Sequence, residues 1–261
     1  MKIETPNLSL FNQISEKNKT LSEQLSTGKK VNSAADDAAA LQIINRLTSQ
    51  QDGYSQSIRN AYDGISYSQT ADSALSGVND AVSRIRELSI QAGNGALTDS
   101  DRQALQEEVS QLQTQISETF ENTTFGGAQI FDGESRSFQV GPDANTTQSL
   151  QQTDGGFASA ILSVDISTQA GAQTAIDAAD TVSEDLNSQR AKLGAFEKAV
   201  SSTIRSASNQ HENIAASQSR IQDTNYAQAM SQKTSNSILA NTAQAILSQA
   251  NQNASQLLSL L

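Results

Sequence analysis

Residues 58–88 read IRNAYDGISYSQTADSALSGVNDAVSRIREL, and within them Ile58, Ala61, Ile65, Ser68, Ala71, Leu75, Val78, Val82, Ile85 and Leu88 follow one another at steps of three or four. That step lays a stripe along one face of an α-helix. The run opens after Asn32-Ser33 and is expected to end at Gly93-Asn94-Gly95. Proline occurs only at positions 6 and 142, so nothing in the run forces a break. As one helix, residues 46 to 92 would be about 70 Å long at ~1.5 Å per residue. A compact globule of this chain length would be only roughly 45 to 50 Å across. An elongated rod is therefore expected. Gly53, Gly64 and Gly77 inside the run each cost about 1 kcal/mol relative to Ala, so the helix needs partners along its length.

Partner stripes lie on both sides. Phe11, Ile14, Leu21 and Leu25 continue from Leu8, with Asn18 in the missing seam position, and stop near Gly28. Leu105, Val109, Leu112 and Ile116 form a shorter helix behind Ser100-Asp101-Arg102-Gln103, read as a capping box. Val182, Leu186, Leu193, Phe196, Val200, Ile204, Ala207, His211, Ile214 and Ile221 make another long stripe. Ile238, Ala243, Ile246, Ala250, Ala254, Leu257 and Leu261 make the last. In the middle the period changes. Gly126-Gly127, Asp132-Gly133 and Gly141-Pro142 bracket short segments at Gln129 to Phe131 and Ser137 to Val140, which suits a small hairpin. Ile161 to Ile166 alternates and is expected to be a third strand, after a loop from Asp143 to Gly156. The fold class is mainly α: long coiled-coil helices from both chain ends with a small β-hairpin region near residues 125–166.

Composition narrows the function. The chain has 261 residues, 36% apolar and 4% aromatic, with no Trp and no Cys. This suits thin helical packing rather than a thick interior. The formal net charge of −11 disfavours nucleic acid and anionic lipid as partners. Without cysteine there is no disulfide framework, thiol nucleophile or Cys-ligated metal. No apolar run approaches the ~18 residues of a membrane span. Met1-Lys2-Ile3-Glu4-Thr5-Pro6 lacks the basic and apolar regions of a cleaved secretory signal.

Catalytic constellations are weak. His211-Glu212-Asn213-Ile214-Ala215 starts like a zinc motif, but Ala215 takes the second ligand position and the chain has no other histidine. His211 therefore reads as a packed, hydrogen-bonded structural residue. Thr98-Asp99-Ser100-Asp101 lacks the later Gly and Glu of a calcium loop and reads as a helix cap. Gly93-Asn94-Gly95 and Gly126-Gly127 lack a phosphate-cradling lysine and read as turns. Asn122-Thr123-Thr124 and Asn145-Thr146-Thr147 match glycosylation spacing, a weak signal where Asn, Ser and Thr are so common. No enzyme activity, cofactor or metal is expected.

Both ends carry amphipathic stripes with few charges, whereas a monomer usually leaves its ends solvated. Either the two ends pair within one chain, or they become buried on polymerisation through heterologous contacts that build an open filament.

Specific residues sharpen this choice. Leu25-Ser26-Thr27-Gly28-Lys29-Lys30-Val31-Asn32-Ser33-Ala34-Ala35-Asp36-Asp37-Ala38-Ala39 resembles the N-terminal signature of bacterial flagellins. Ser219-Arg220-Ile221-Gln222-Asp223-Thr224-Asn225-Tyr226-Ala227, Ala243 to Gln252 and Leu257-Leu258-Ser259-Leu260-Leu261 resemble the C-terminal one. Leu193-Gly194-Ala195 and the stretch from Phe125-Gly126-Gly127 to Gly141 also fit. Two departures stand out: many flagellins end on a basic residue after the Leu-Leu run, and the large outer domain many insert is missing here.

The resemblance implies a structural, exported subunit that polymerises into the flagellar filament, extracellular without a cleaved signal. It implies a filament-core domain of residues 1–44 with 220–261, disordered in the monomer, and a rod domain of 45–219. Core pairing would fall to Phe11, Ile14, Leu21, Leu25, Ile246, Ala250, Leu257 and Leu261, and the 129 to 140 hairpin would tune protofilament geometry. Asp36, Asp37 and Arg46 would make polar contacts between subunits or domains. Implied partners are further copies of the chain, the export chaperone on the C-terminal helix, the export apparatus, and cap and hook-junction proteins. Animal Toll-like receptor 5 is implied through Arg84, Leu88, Gln91, Glu108 and Gln111. Three competitors are a hook–filament junction protein, a filament-borne metalloprotease and a cytosolic coiled-coil adaptor. Seeded filament growth, zinc analysis and protease sensitivity of the ends separate them.

Overall fold

The computed structural model describes residues 6–151 and 155–259. Its elements in chain order are α1 (Pro6–Thr27), α2 (Ala38–Ala92), α3 (Asp99–Asn122), β1 (Thr124–Phe125), β2 (Ala128–Gln129), β3 (Arg136–Gln139) and β4 (Thr147–Leu150). A 3-10 turn (Gly155–Ala158), α4 (Ser159–Leu162), α5 (Gln169–Gln222) and α6 (Tyr226–Ser259) complete it. The chain divides into a terminal unit, Met1–Gln51 with Glu212–Leu261, and a central unit, Asp52–His211.

The central unit is built on the stripe of α2. Ala61, Ser68, Ala71, Leu75, Val78, Val82, Ile85 and Leu88 are all buried, and Ile58 and Ile65 half-buried. They meet Val109, Ile116 and Phe120 of α3 and the α5 series Ala172, Ala175, Ala179, Val182, Leu186, Leu193, Phe196, Val200 and Ile204. Each large aliphatic buried here contributes roughly 1.5–3 kcal/mol. Polar contacts set an antiparallel register: Tyr54 donates to Gln210, Ser68 Oγ to the Leu193 carbonyl at 3.4 Å, Arg190 pairs with Asp72 at 2.7 Å and Arg86 with Asp180 at 2.6 Å. The last two pairs are only partly buried and worth about 1 kcal/mol each, so apolar burial rather than charge holds these helices together.

Two of the glycines inside α2 have a packing reason. A Cβ on Gly53 would lie 2.9 Å from Pro142 Cβ, and one on Gly64 would lie 3.2 Å from the Phe138 ring. The β3–β4 segment is seated there, and Asn60 Nδ2 donates to the Gln139 carbonyl at 3.1 Å. Gly77 meets nothing within 4 Å. Six of the chain's seven phenylalanines gather in this region: Phe120 packs edge-on to Phe131 and Phe157, Tyr67 edge-on to Phe125 and Phe138, and Phe138 against Phe196. The scarce aromatic content is concentrated where strands meet helices, the place where regular helix packing cannot fill the volume.

Three local expectations are corrected. The segments at 129 and 140 do not form one hairpin. β1 pairs antiparallel with β2, and β3 with β4 in the register Arg136↔Leu150 to Gln139↔Thr147, so a strand lies in what reads as the 143–156 loop. Ile161 to Ile166 is not a strand: α4 ends at Leu162, and no strand partners the residues that follow. Side chains of α3 replace the partner. Gln113 Nε2 donates to the carbonyls of Ile161 and Val164, both at 3.0 Å, and Gln106 Oε1 accepts the Ile166 amide at 2.7 Å. Ile161 and Ile166 are thus buried with the Ile161 carbonyl and the Ile166 amide each satisfied by an α3 side chain. The cap of α3 is Thr98 with Asp101, not Ser100 with Gln103. Thr98 Oγ1 accepts the Asp101 amide at 3.3 Å, and Asp101 Oδ2 accepts the Thr98 amide at 3.0 Å.

Arg102 acts on the same loop from the first turn of α3. Only 9% exposed, it donates through Nη1 to the Ala92 and Asn94 carbonyls at 2.7 and 3.1 Å, and through Nη2 to the Leu97 carbonyl at 2.8 Å. A cation on the last carbonyls of α2 also opposes that helix's negative end.

Candidate functional site

In the terminal unit α1 packs against α6. α1 ends at Gly28, whose φ of +72° suits glycine, and the chain returns through a short bridge between Lys29 and Asp223. The Lys30 amide donates to the Gln222 carbonyl at 2.5 Å, the Thr224 amide to the Gly28 carbonyl at 2.9 Å, and Tyr226 Oη to the Leu25 carbonyl at 2.7 Å. Asp36 Oδ2 accepts the Ser33 and Asn32 amides at 2.8 and 3.0 Å and the Ser33 hydroxyl at 3.1 Å. The Ser33 amide first, then that of Asn32, holds this carboxyl below its ordinary range. Asp37 Oδ1 accepts the Ala40 amide at 2.8 Å and caps α2. Both carboxylates thus hydrogen-bond within the local turn, and Arg46 is exposed.

The pairing stripe divides unevenly. Ile14 is buried, and Phe11, Leu21 and Leu25 are half-buried. On α6, by contrast, it is Ala229 and Ala243 that are buried, while Ile246 is 50% exposed and Ala250 is exposed. Nothing is described of the Leu257 side chain, and Leu261 lies outside the described residues. Sequence periodicity missed this split because alanine and isoleucine count alike as apolar. The small face of α6 is turned inward, and Met230, Ile238, Leu239 and Ile246, each half exposed or more, stand outward. On α1, the Asn18 Oδ1 is buried without a hydrogen-bond partner.

A second surface lies where α2 and α3 run together in the central unit. Arg84 bridges Glu108 at 2.8 Å and Glu87 at 3.0 Å, and Gln91 and Gln111 are exposed. The hydrogen bonds that Arg84 donates to Glu108 first, then to Glu87, raise its pKa and keep the guanidinium charged. Leu88 does not stand beside it: at 1% exposure it belongs to the core with Ile85 and Ala92. The apolar residue on the open face is Ile90, 52% exposed. A spacing of four turns about 40° past a full circle, enough to carry Leu88 across the boundary of the buried face.

Charge is partitioned between the units. Asp52–His211 holds 21 acidic and 9 basic side chains, whereas the terminal unit holds 7 and 8. All of the excess negative charge is therefore carried by the central unit, and the terminal unit is slightly basic. Among the described residues no group of three or more His, Cys, Asp or Glu side chains is placed to hold a metal ion, and no helix is long and apolar enough to cross a membrane. His211 is half-buried on α5 and, contrary to expectation, its side chain makes no hydrogen bond to another described residue.

Comparison with known proteins follows this geometry. Residues 4–136 match the family model described as the bacterial flagellin N-terminal helical region, and residues 176–261 the bacterial flagellin C-terminal helical region. The chain is 36% identical over 293 residues to a flagellin of Bacillus subtilis (strain 168), covering 97% of this chain and 95% of the relative. It is 31% identical over 346 residues to flagellin B of Vibrio anguillarum, covering 92% of each. Among solved structures, Bacillus cereus flagellin superposes with a TM-score of 0.53 at 27% identity, covering 61% of this chain and 94% of that one. A putative flagellar hook-associated protein from Vibrio parahaemolyticus shares the fold, with a TM-score of 0.64 at 15% identity over 72% of this chain and all of that one.

Proposed function

The chain belongs to the bacterial flagellin family, structural subunits of the extracellular flagellar filament, and from that premise we propose how it polymerises. The terminal segments, residues 1–44 and 220–261, form the filament-core domain: disordered in the free subunit, they fold as paired helices when a neighbouring copy covers them. Residues 45–219 form the rod domain, and the β3–β4 hairpin seated on Gly53 and Gly64 tunes protofilament geometry.

One observation carries the reading. α6 spends its alanine face on α1 and leaves Met230, Ile238, Leu239 and Ile246 outward, with Lys233 as the one charged residue of the helix. Exposed apolar side chains on a near-neutral helix suit burial against a second copy of the chain. Before assembly the exposed apolar residues of α6 are covered by the export chaperone, and the chain leaves the cell through the flagellar export apparatus. It then joins hook-junction and cap proteins at the ends of the filament.

Arg84, Gln91, Glu108 and Gln111, with exposed Ile90 taking the place of Leu88, form the surface for animal Toll-like receptor 5. On receptor-bearing reporter cells, Arg84→Ala monomer is expected to lose potency; full activity of that variant would remove the assignment.

Removing residues 243–261 should abolish both filament growth and chaperone binding. Filaments from the truncated protein would overturn the core assignment. Limited proteolysis should cut the ends rapidly in the free subunit and spare them in the polymer. Equal resistance in both states would contradict ordering on assembly.

A further inference from the structure

We propose that Asn94 is a site of spontaneous deamidation, a modification whose only co-reactant is water and which the α2–α3 loop itself promotes. The sequence marks it, because Asn94-Gly95 is the single Asn-Gly pair in the chain. The geometry supplies three further requirements. Asn94 and Gly95 are exposed, so base and water reach them. The Gly95 amide, the attacking nitrogen, is bound to no other described residue. The Ala96 amide donates to Asn94 Oδ1 at 3.1 Å, folding the side chain back over the following peptide and polarising its carbonyl.

In the reaction, the Gly95 nitrogen loses its proton to solvent and attacks Asn94 Cγ. The new N–C bond closes a five-membered ring, and the charge that develops on Oδ1 faces the Ala96 N–H, as a donor in an oxyanion site would. The side-chain amide takes up a proton and leaves as ammonia. Water then opens the succinimide at either carbonyl, giving aspartate or isoaspartate. No electron acceptor or donor is required.

The product changes the loop. Isoaspartate routes the main chain through the former side chain and displaces the Asn94 carbonyl that Arg102 Nη1 holds at 3.1 Å. It also adds an anion beside the negative end of α2, in a unit that already carries the chain's excess acid. A subunit with no route to replacement would accumulate this change with age.

The test is ageing of the purified full-length chain in mildly alkaline buffer, followed by trypsin and mass spectrometry of the peptide Glu87–Arg102. The expected result is a gain of a single mass unit at Asn94 with isoaspartate among the products, ahead of Asn32, Asn187 and Asn236, which precede serine. Gly95→Ala should slow the reaction about tenfold, equivalent to about 1.4 kcal/mol in the barrier, by crowding the attacking nitrogen. That variant should fold, since Gly95 lacks a positive φ and a Cβ there meets nothing within 4 Å. Native chain should react at least as fast as chain unfolded in urea. An unmodified Asn94 after ageing, or faster reaction in the unfolded chain, would overturn the proposal.

Discussion

The Tyr226 hydroxyl donates to the Leu25 carbonyl at 2.7 Å, joining the start of α6 to the end of α1 across 201 residues of chain. It satisfies one of the carbonyls that a helix end leaves without an internal partner. The contact lies beside Gly28 and the Lys29–Asp223 bridge, so one residue of the C-terminal signature closes directly on the N-terminal signature.

Tyr226→Phe removes this hydroxyl and keeps the ring. Stability of the terminal unit should fall by about 0.5–1.5 kcal/mol, the net worth of one hydrogen bond. Hydrogen exchange should quicken at the amides of Lys30 and Thr224, while amides in the α2–α5 core of the central unit keep their protection.

Gly77 and Gly53 should respond oppositely to the same change. Gly77→Ala adds a methyl in open space within a helix and should stabilise the protein by about 1 kcal/mol. Gly53→Ala drives a Cβ against the rigid Pro142 ring and should destabilise by about 1–3 kcal/mol. Denaturant midpoints of the two variants, taken with unchanged m-values, decide the sign of each.

Gln113→Ala strips both side-chain donors from the Ile161 and Val164 carbonyls. Leaving these acceptors without partners should cost about 1–3 kcal/mol for each that water cannot reach. Proteolysis should begin at 159–168, the segment these bonds hold against α3.

Acid should loosen two turns specifically. The Ser33 and Asn32 amides lower the Asp36 pKa, and the Thr98 hydroxyl and amide lower that of Asp101. A carboxyl depressed on folding contributes stability that is fully present above its unfolded pKa, near 3.8. That contribution is lost as pH falls through the lower folded values. Exchange protection at Asn32, Ser33 and Thr98 should therefore hold at neutral pH and disappear only below about pH 4. Asp36→Asn should abolish that pH dependence at Asn32 and Ser33 alone.

Salt should accelerate polymerisation. Like-charged copies repel, and the central unit carries 21 acidic and 9 basic side chains. Raising salt from about 0.01 M to about 0.15 M shortens the screening length from about 30 Å to about 8 Å and weakens that repulsion. Seeded growth followed by light scattering should quicken over this range, and less so in a variant with acidic residues of the central unit neutralised.

Much of the fold was legible in periodicity. The α2 stripe from Ile58 to Leu88 is buried or half-buried at every position, and α2 ends where Gly93-Asn94-Gly95 marks a turn. The segment from Ile161 to Ile166 was misleading for a physical reason. Alternation reports which side chains are buried, and says nothing about whether the backbone finds its partners in a strand or in the Gln113 and Gln106 side chains. β4 was missed because Thr147–Leu150 is polar at three of its four positions and carries no such alternation.

The sequence by itself determined the helices, their apolar faces and, through the two terminal signatures, the family. These depend on local spacing and residue identity, which the chain carries with it. Only the tertiary structure decided which apolar residues meet a partner within the chain. It placed Leu88 in the core and Ile90 outside, and set Ala243 against α1 with Ile246 turned away. A stripe defines a direction on a helix to within about 40°, whereas burial depends on where the neighbouring helix lies within that arc.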